Sequence, residues 1–193
     1  SLIIIYFYLI TFNIKLYNAW RHVYFFNIFF VYIATMGVYL VSLRIKKTIY
    51  LFLILTLFFF FICFKMFTYH PYQSIFFNSL VSEKTKNNFD KDYMGLGGVD
   101  ALRKIISLDK KITIKVATGS FLPLERSLDV LESNEKKRIK LVGSAYEEAD
   151  YIYTNFISEV DNNLNKKYKI PNNFINFFDK KINKVKIYQV YKK

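Results

Sequence analysis

Not one Asp or Glu precedes Glu83, whereas residues 1–69 carry six Lys or Arg. All fifteen acidic residues follow, so the chain divides into two unlike parts near His70 and Pro71. Cysteine is nearly absent: Cys63 stands alone in an apolar run, where it packs as a small hydrophobe. A disulfide framework or a thiolate metal site within one chain is thereby excluded. Histidine is confined to His22 and His70, which excludes a histidine-rich metal centre. Arginine is scarce too, five of 28 basic residues, although it is the side chain best suited to bidentate phosphate contacts. The formal charge of +13 therefore does not read as a nucleic-acid surface, and no basic stripe with interleaved aromatics supports one. Gly and Pro are sparse while Ile, Phe, Tyr, Asn and Lys abound, the bias of an A/T-rich coding sequence. With the six charges of residues 1–69 set aside, +7 remains for residues 70–193, interleaved with acids.

What the first part does contain is hydrocarbon. Val23–Leu43 is a run of 21 residues interrupted by Asn27 and Ser42, close to the ~20 needed to cross a bilayer core as a helix. Thr48–Tyr69 is a second such run, with Lys65 near enough to its end to snorkel to the interface. Leu2–Phe12 is too short to span and reads as the end of a third helix. The alternative, a buried helix of a soluble core, meets LFLILTLFFFFICF (Leu51–Phe64), which has no polar face. The chain opens at Ser1 in hydrophobic sequence without a basic segment ahead of it, unlike a signal peptide, and is expected to be a piece of something longer. Arg44, Lys46 and Lys47 in the short loop between the two long runs are expected in the cytoplasm; Lys15 and Arg21 lie in the opposite loop. That orientation makes the rest of the chain extracytoplasmic, on an inner or plasma membrane.

Beyond Pro71 the pattern changes to short alternating elements. Gly95–Gly98 reads as a turn, 99–107 as a helix, 112–117 as a strand and 122–132 as a helix after Pro123. Residues 139–142, 151–155 and 185–191 read as strands, and Asn172, Asn173 and Lys180–Lys184 as loop and turn. The expected fold is thus transmembrane α-helices, two full and one partial, followed by a small α/β extracytoplasmic domain. Its boundaries are 1–69 for the membrane region, 70–98 for an interfacial loop and linker, and 99–193 for the soluble domain.

Two antiparallel helices return the chain to the side it left, which brings Trp20, Arg21 and His22 beside His70, Pro71 and Tyr72. Arg21 and His22 precede a helix whose free N–H groups and dipole favour an anion, such as a lipid phosphate. The alternative is an ordinary aromatic belt of Tyr17, Trp20, Tyr69 and Tyr72 with Arg21 facing headgroups.

YNAWRHVYFF (Tyr17–Phe26) resembles the Tyr-Asp-Gly-Trp-Arg-His-x-x-Phe segment of polytopic C-type glycosyltransferases, and HPYQSIFFN (His70–Asn78) their His-Pro-Tyr-Gln-Tyr-x-Tyr-Phe-Asn segment. FDKDYMG (Phe89–Gly95) is similar to Phe-x-x-Asp-Tyr-Trp-Gly, and Asp150, Tyr151, Ile152 and Asn155 to a later Asp-Tyr-x-x-x-Asn. This chain has Asn18 and Ala19 for the Asp-Gly, Phe76 for a Tyr and Met94 for the Trp. The likeness, spanning Tyr17–Lys193, is to the protein O-mannosyltransferase and aminoarabinose-transferase type. Such enzymes move a sugar from a polyprenyl-phosphate carrier to an acceptor outside the cytoplasm. The resemblance implies that Arg21 pairs with the carrier phosphate and His22 hydrogen-bonds it, with Trp20, His70 and Tyr72 lining the pocket or fixing the loop. Asn78, Asp92 and Tyr93 would be structural, the last two anchoring the soluble domain onto the membrane face. The family's catalytic carboxylate belongs to a first extracytoplasmic loop; with no carboxylate before Glu83, the likeness is to the carboxyl-terminal portion only and assigns no catalytic residue here. The implied partners are membrane lipid, the polyprenyl-phosphate sugar and an amino-terminal transmembrane bundle.

Other features carry less. Gly95, Gly97 and Gly98 lack the strand and spacing of a phosphate loop and read as a turn and helix start. Asp90 and Asp92 offer oxygen ligands to a divalent cation or form a solvated turn; no cofactor is otherwise implied. Tyr146, Glu147, Glu148 and Asp150 read as a solvated helix start or turn. A reading of another class stays open: a non-catalytic, membrane-anchored interaction domain.

Overall fold

The computed structural model describes residues 2–12, 26–45, 47–76, 81–82, 86, 89–159 and 163–193. The chain forms two compact units, residues 1–64 and 65–193. In the first, α1 (Leu2–Thr11) is followed by α2 (Phe26–Arg44), and α3 (Thr48–Tyr69) begins there and ends in the second. Of these, α2 and α3, with 19 and 22 residues, are long and apolar enough to cross a membrane. Phe58, Phe59, Phe60 and Phe61 are each more than half exposed. Because successive helical residues point about 100° apart, these four rings wrap the whole circumference, so α3 is apolar all round. Polar side chains of α2 fold back on their own helix: Thr35 Oγ1 donates to the Val31 carbonyl at 2.8 Å and Ser42 Oγ to that of Tyr39 at 2.6 Å. Helical Ser and Thr hydroxyls commonly bond back to a carbonyl three or four residues earlier in this way.

The second unit is a small mixed α/β sheet domain. After a 3₁₀ turn (Gln73–Ile75) come α4 (Leu96–Leu108), β1 (Ile114–Thr118), α5 (Glu125–Asp129), α6 (Ser133–Lys136) and β2 (Ile139–Leu141). The chain continues through β3 (Tyr151–Thr154), a 3₁₀ turn (Leu164–Tyr168), β4 (Ile175–Ile182) and β5 (Val185–Lys192). The strand order is β2-β1-β3-β5-β4, with β2, β1 and β3 parallel and the β4–β5 hairpin antiparallel to β3. Central β3 (YIYT) is buried at every position, as a strand covered on both faces must be.

One face carries the main core: Tyr69, Tyr72 and Ile75 from the end of α3 and its turn, Ala101, Leu102 and Ile105 of α4, and Tyr151 and Tyr153 of β3. Leu124, Leu131 and the inward residues of β1, β2 and β5 complete it. Tyr72, Ile75, Asp92, Gly97 and Gly98, all within the segment expected as loop and linker, are buried in the domain. On the opposite face Ala117, Ile152, Ala149 and Phe174 form a thinner cluster. Ile187 and Tyr188 are neighbours in sequence yet share the main core, because Lys180 pairs with Tyr188 while Lys181 pairs with Lys186. The extra residue is a bulge that resets the alternation of β5. Arg138 fastens the α4–β1 connection: its guanidinium donates to the carbonyls of Ile106 (3.2 Å), Asp109 and Lys111 (2.9 Å). These include acceptors that the last turn of a helix cannot satisfy internally.

Three elements differ from expectation. The helix expected at 99–107 begins at Leu96, so Gly97 and Gly98 are helical. The helix expected over 122–132 is confined to Glu125–Asp129, and Glu132 and Glu135 form a reciprocal cap that starts a separate helix. Lys180–Ile182 lie in β4, a strand not anticipated, and the turn is Asn183 and Lys184, whose φ values of 45° and 68° suit a tight hairpin.

Candidate functional site

Three of the sequence segments singled out above converge in the second unit. Their meeting point is Asp92. It is 2 % exposed, and its Oδ2 accepts the Gly97 N–H at 3.0 Å and the Tyr153 hydroxyl at 3.2 Å. The Asn155 side-chain amide donates to the Asp92 carbonyl at 3.4 Å, and the Gly95 N–H to the same carbonyl at 2.9 Å. Tyr72 joins from the His70–Asn78 segment: it is buried, and burial, then the charges of Asp92 and Asp100, hold its phenol well above the ordinary tyrosine range. Tyr188 adds a ring 5.7 Å from that of Tyr153 and donates its hydroxyl to Asp100 Oδ2 at 2.7 Å.

Glycine is required where these groups close on α4. A Cβ at Gly97 would lie 2.7 Å from Tyr188 Cδ1 and 2.8 Å from Asp92 Oδ2. Gly95, at φ 70°, occupies the left-handed conformation that starts the helix. The carboxylate thus meets helix N–H groups and a phenol, but its Oδ1 has no hydrogen-bond partner. Desolvation raises the Asp92 pKa, and the hydrogen bonds from Gly97 and Tyr153 work against that rise. The expected solvated turn holds for Asp90, which is exposed, and is wrong for Asp92, because partners 61 and 63 residues away remove it from water.

Chemically, this cluster is a latch. Among the described residues no three His, Cys, Asp or Glu side chains gather as metal ligands would. His70 is exposed, its Nδ1 2.9 Å from Gln73 Nε2. Tyr93 is exposed. Trp20, Arg21, His22 and Asn78 lie outside the described residues. Sequence reasoning did not single out Tyr153, Tyr188, Gly97 or Asp100 as members of this cluster; the tyrosines at alternate positions 151 and 153 of a buried strand were the available signal. Tyr146–Glu148 form a 3₁₀ turn, as the helix start or turn expected there, and Asp150 just after it accepts from the Lys111 ammonium at 2.6 Å and the Lys115 N–H at 2.9 Å.

A second feature lies at the carboxyl ends of β1 and β2, where open α/β sheets commonly form a crevice. An open cleft of about 200 Å³ is lined there by Thr118, Ser120, Glu125, Ser144 and Tyr168, among others. Ser120 is 2 % exposed and its Oγ has no partner.

Fold and site define a protein with two helices of membrane-crossing length and a small mixed α/β domain latched through Asp92. No family model, curated protein or solved structure matches this chain.

Proposed function

We propose that this chain is the carboxyl-terminal part of an integral membrane glycosyltransferase that takes its sugar from a polyprenyl-phosphate carrier. One observation carries the reading: Tyr72, Asp92 and Asn155, drawn from three segments that resemble that enzyme type, share one buried cluster with Tyr69, the last residue of an apolar helix long enough to span a bilayer. On this reading α2 and α3 are inserted, and the α/β domain is extracytoplasmic. The latch holds the domain at the helix exit, where lipid-borne donor arrives. Arg21 pairs with the carrier phosphate and His22 hydrogen-bonds it, stabilising charge that develops as the sugar leaves. The resemblance would assign Trp20 and His70 to the lining of that phosphate site. Tyr72, buried beside two carboxylates, fixes the loop after α3.

The test is sugar release from a polyprenyl-phosphate donor by membranes expressing the complete gene. Arg21→Ala should lower turnover about tenfold or more, the loss of one charge-assisted contact, with insertion and expression unchanged. Unaltered turnover would remove the assigned role. No release by the wild-type protein would leave a membrane-anchored interaction domain as the better reading.

A further inference from the structure

The cleft at the carboxyl ends of β1 and β2 lies where the chain reverses its direction across the sheet. From β1 it crosses to β2 over the face that holds Leu124 and Leu131, then returns past β1 to β3 over the opposite face, where Tyr146 and Ala149 pack. Connections that diverge in this way open a crevice at the strand end, where open α/β sheets take their ligands. The walls are tied in place. The Tyr146 hydroxyl donates to the Lys167 carbonyl at 2.9 Å and lies 3.4 Å from that of Thr118. Glu159 fastens the 3₁₀ turn that carries Lys167 and Tyr168: its carboxylate accepts from Lys167 Nζ at 2.8 Å and the Tyr168 hydroxyl at 3.1 Å, and its carbonyl from the Asn165 amide at 3.0 Å.

We infer that this cleft binds a single uncharged sugar ring of a glycan. The space, about 200 Å³, is below the roughly 300 Å³ at which sites for drug-sized ligands begin, and it suits one ring. Thr118, Ser120 and Ser144 line it with hydroxyls, groups that donate and accept as a polyol does. Ser120, 2 % exposed, belongs to the floor, and its Oγ has no partner among the described residues. A ligand hydroxyl satisfies it. Phe121, half exposed, offers an aromatic face to the C–H side of a sugar. Charge stands against an anion: Glu125 adds a carboxylate to the wall, and the Lys167 ammonium is already paired with Glu159. The cleft belongs wholly to the α/β domain, so its occupancy and the transferase activity succeed or fail separately.

Saturation-transfer NMR on the full chain in amine-oxide micelles, which bring no sugar headgroup, tests this with the methyl pyranosides of glucose, galactose, mannose and arabinose. At least one should give a saturable signal with a Kd on the order of 1 mM, the strength that so small a ligand reaches at ordinary efficiency. Ser120→Ala should weaken that binding about tenfold, the loss of one buried hydrogen bond, while its denaturation midpoint does not fall. Phe121→Ala, at a position outside both core clusters, should weaken it about threefold. No saturable signal from any glycoside overturns the inference. A signal that neither substitution reduces places the sugar elsewhere and overturns it too. Inorganic phosphate is the rival probe: if it displaces the glycoside at a lower Kd, the cleft is an anion site and the sugar assignment falls.

Discussion

The Tyr153 hydroxyl donates to Asp92 Oδ2 at 3.2 Å, and both side chains are almost fully buried. The pair joins the central strand of the sheet to the segment ahead of α4, across 61 residues of sequence. Tyr153→Phe keeps the ring and its contact with Tyr188 but leaves the buried carboxylate with one donor fewer. A hydrogen bond to a charged group is worth about 1.5–3 kcal/mol. The urea midpoint of the α/β domain, followed by tyrosine circular dichroism of the full chain in detergent, should drop accordingly. An unchanged midpoint would mean that the latch holds nothing.

Stability should also depend on pH through Asp92 in the direction opposite to an ordinary surface carboxylate. Desolvation raises its pKa in the folded state above the unfolded value of 3.8. The folded chain then binds the proton more tightly than the unfolded one, so this group's contribution to stability declines as pH rises from about 4 through the raised folded pKa. Asp92→Asn retains an acceptor and cannot ionise. The difference in unfolding free energy, wild type minus Asp92→Asn, should therefore fall with rising pH. Asp109 and Asp150 have the opposite shift: Asp109 is lowered first by the Lys111 N–H, while for Asp150 the bonds from Lys111 and Lys115 outweigh burial. Both are common to the two proteins and cancel in the difference. A flat difference would show that Asp92 is not held in the environment described.

Gly97→Ala sets two effects of known size against each other. Alanine is favoured over glycine in a helix interior by about 1 kcal/mol. The added methyl, however, would lie 2.7 Å from Tyr188 Cδ1, 2.8 Å from Asp92 Oδ2 and 3.1 Å from the Tyr153 hydroxyl. Overpacking of this kind costs about 1–3 kcal/mol, and the neighbours here are parts of the latch rather than flexible tips. Packing should win, with a net loss seen as a lower denaturation midpoint. A midpoint at or above that of the wild type would show that the neighbours yield.

The membrane-length helices were legible in the sequence because twenty apolar residues in succession have few other uses, and α3 follows its expected limits at Thr48 and Tyr69. β1 was legible from the alternation of 112–117, and β2, β3 and β5 were read as further short strands. β4 was not: INFFDKKI is rich in Asn, Lys and Asp, its charged end resembles a turn, and only pairing with β5 makes it a strand. Edge strands commonly carry such charges. The start of α4 was hidden because glycine propensity points away from helix, while the close approach of Asp92, Tyr188 and Ser127 demands it. Asp92 itself was named from its motif, but its burial depends on Tyr153 and Asn155, contacts that no local pattern encodes.

Ser120 supplies a prediction of the opposite sign. It follows Gly119, whose N–H donates to the Tyr153 carbonyl at 2.7 Å, and precedes Phe121, whose N–H donates to that of Ile157 at 2.9 Å. Pinned on both sides, the residue is buried with its hydroxyl unpaired. An orphaned polar group costs about 1–3 kcal/mol of desolvation, and alanine removes the oxygen while leaving a void no larger than one atom. Ser120→Ala should thus raise the denaturation midpoint, or at least leave it unchanged, whereas Tyr153→Phe and Gly97→Ala lower it. A clear drop for Ser120→Ala would mean that the hydroxyl has a partner in solution, an ordered water in the cleft at the ends of β1 and β2 being the first to look for.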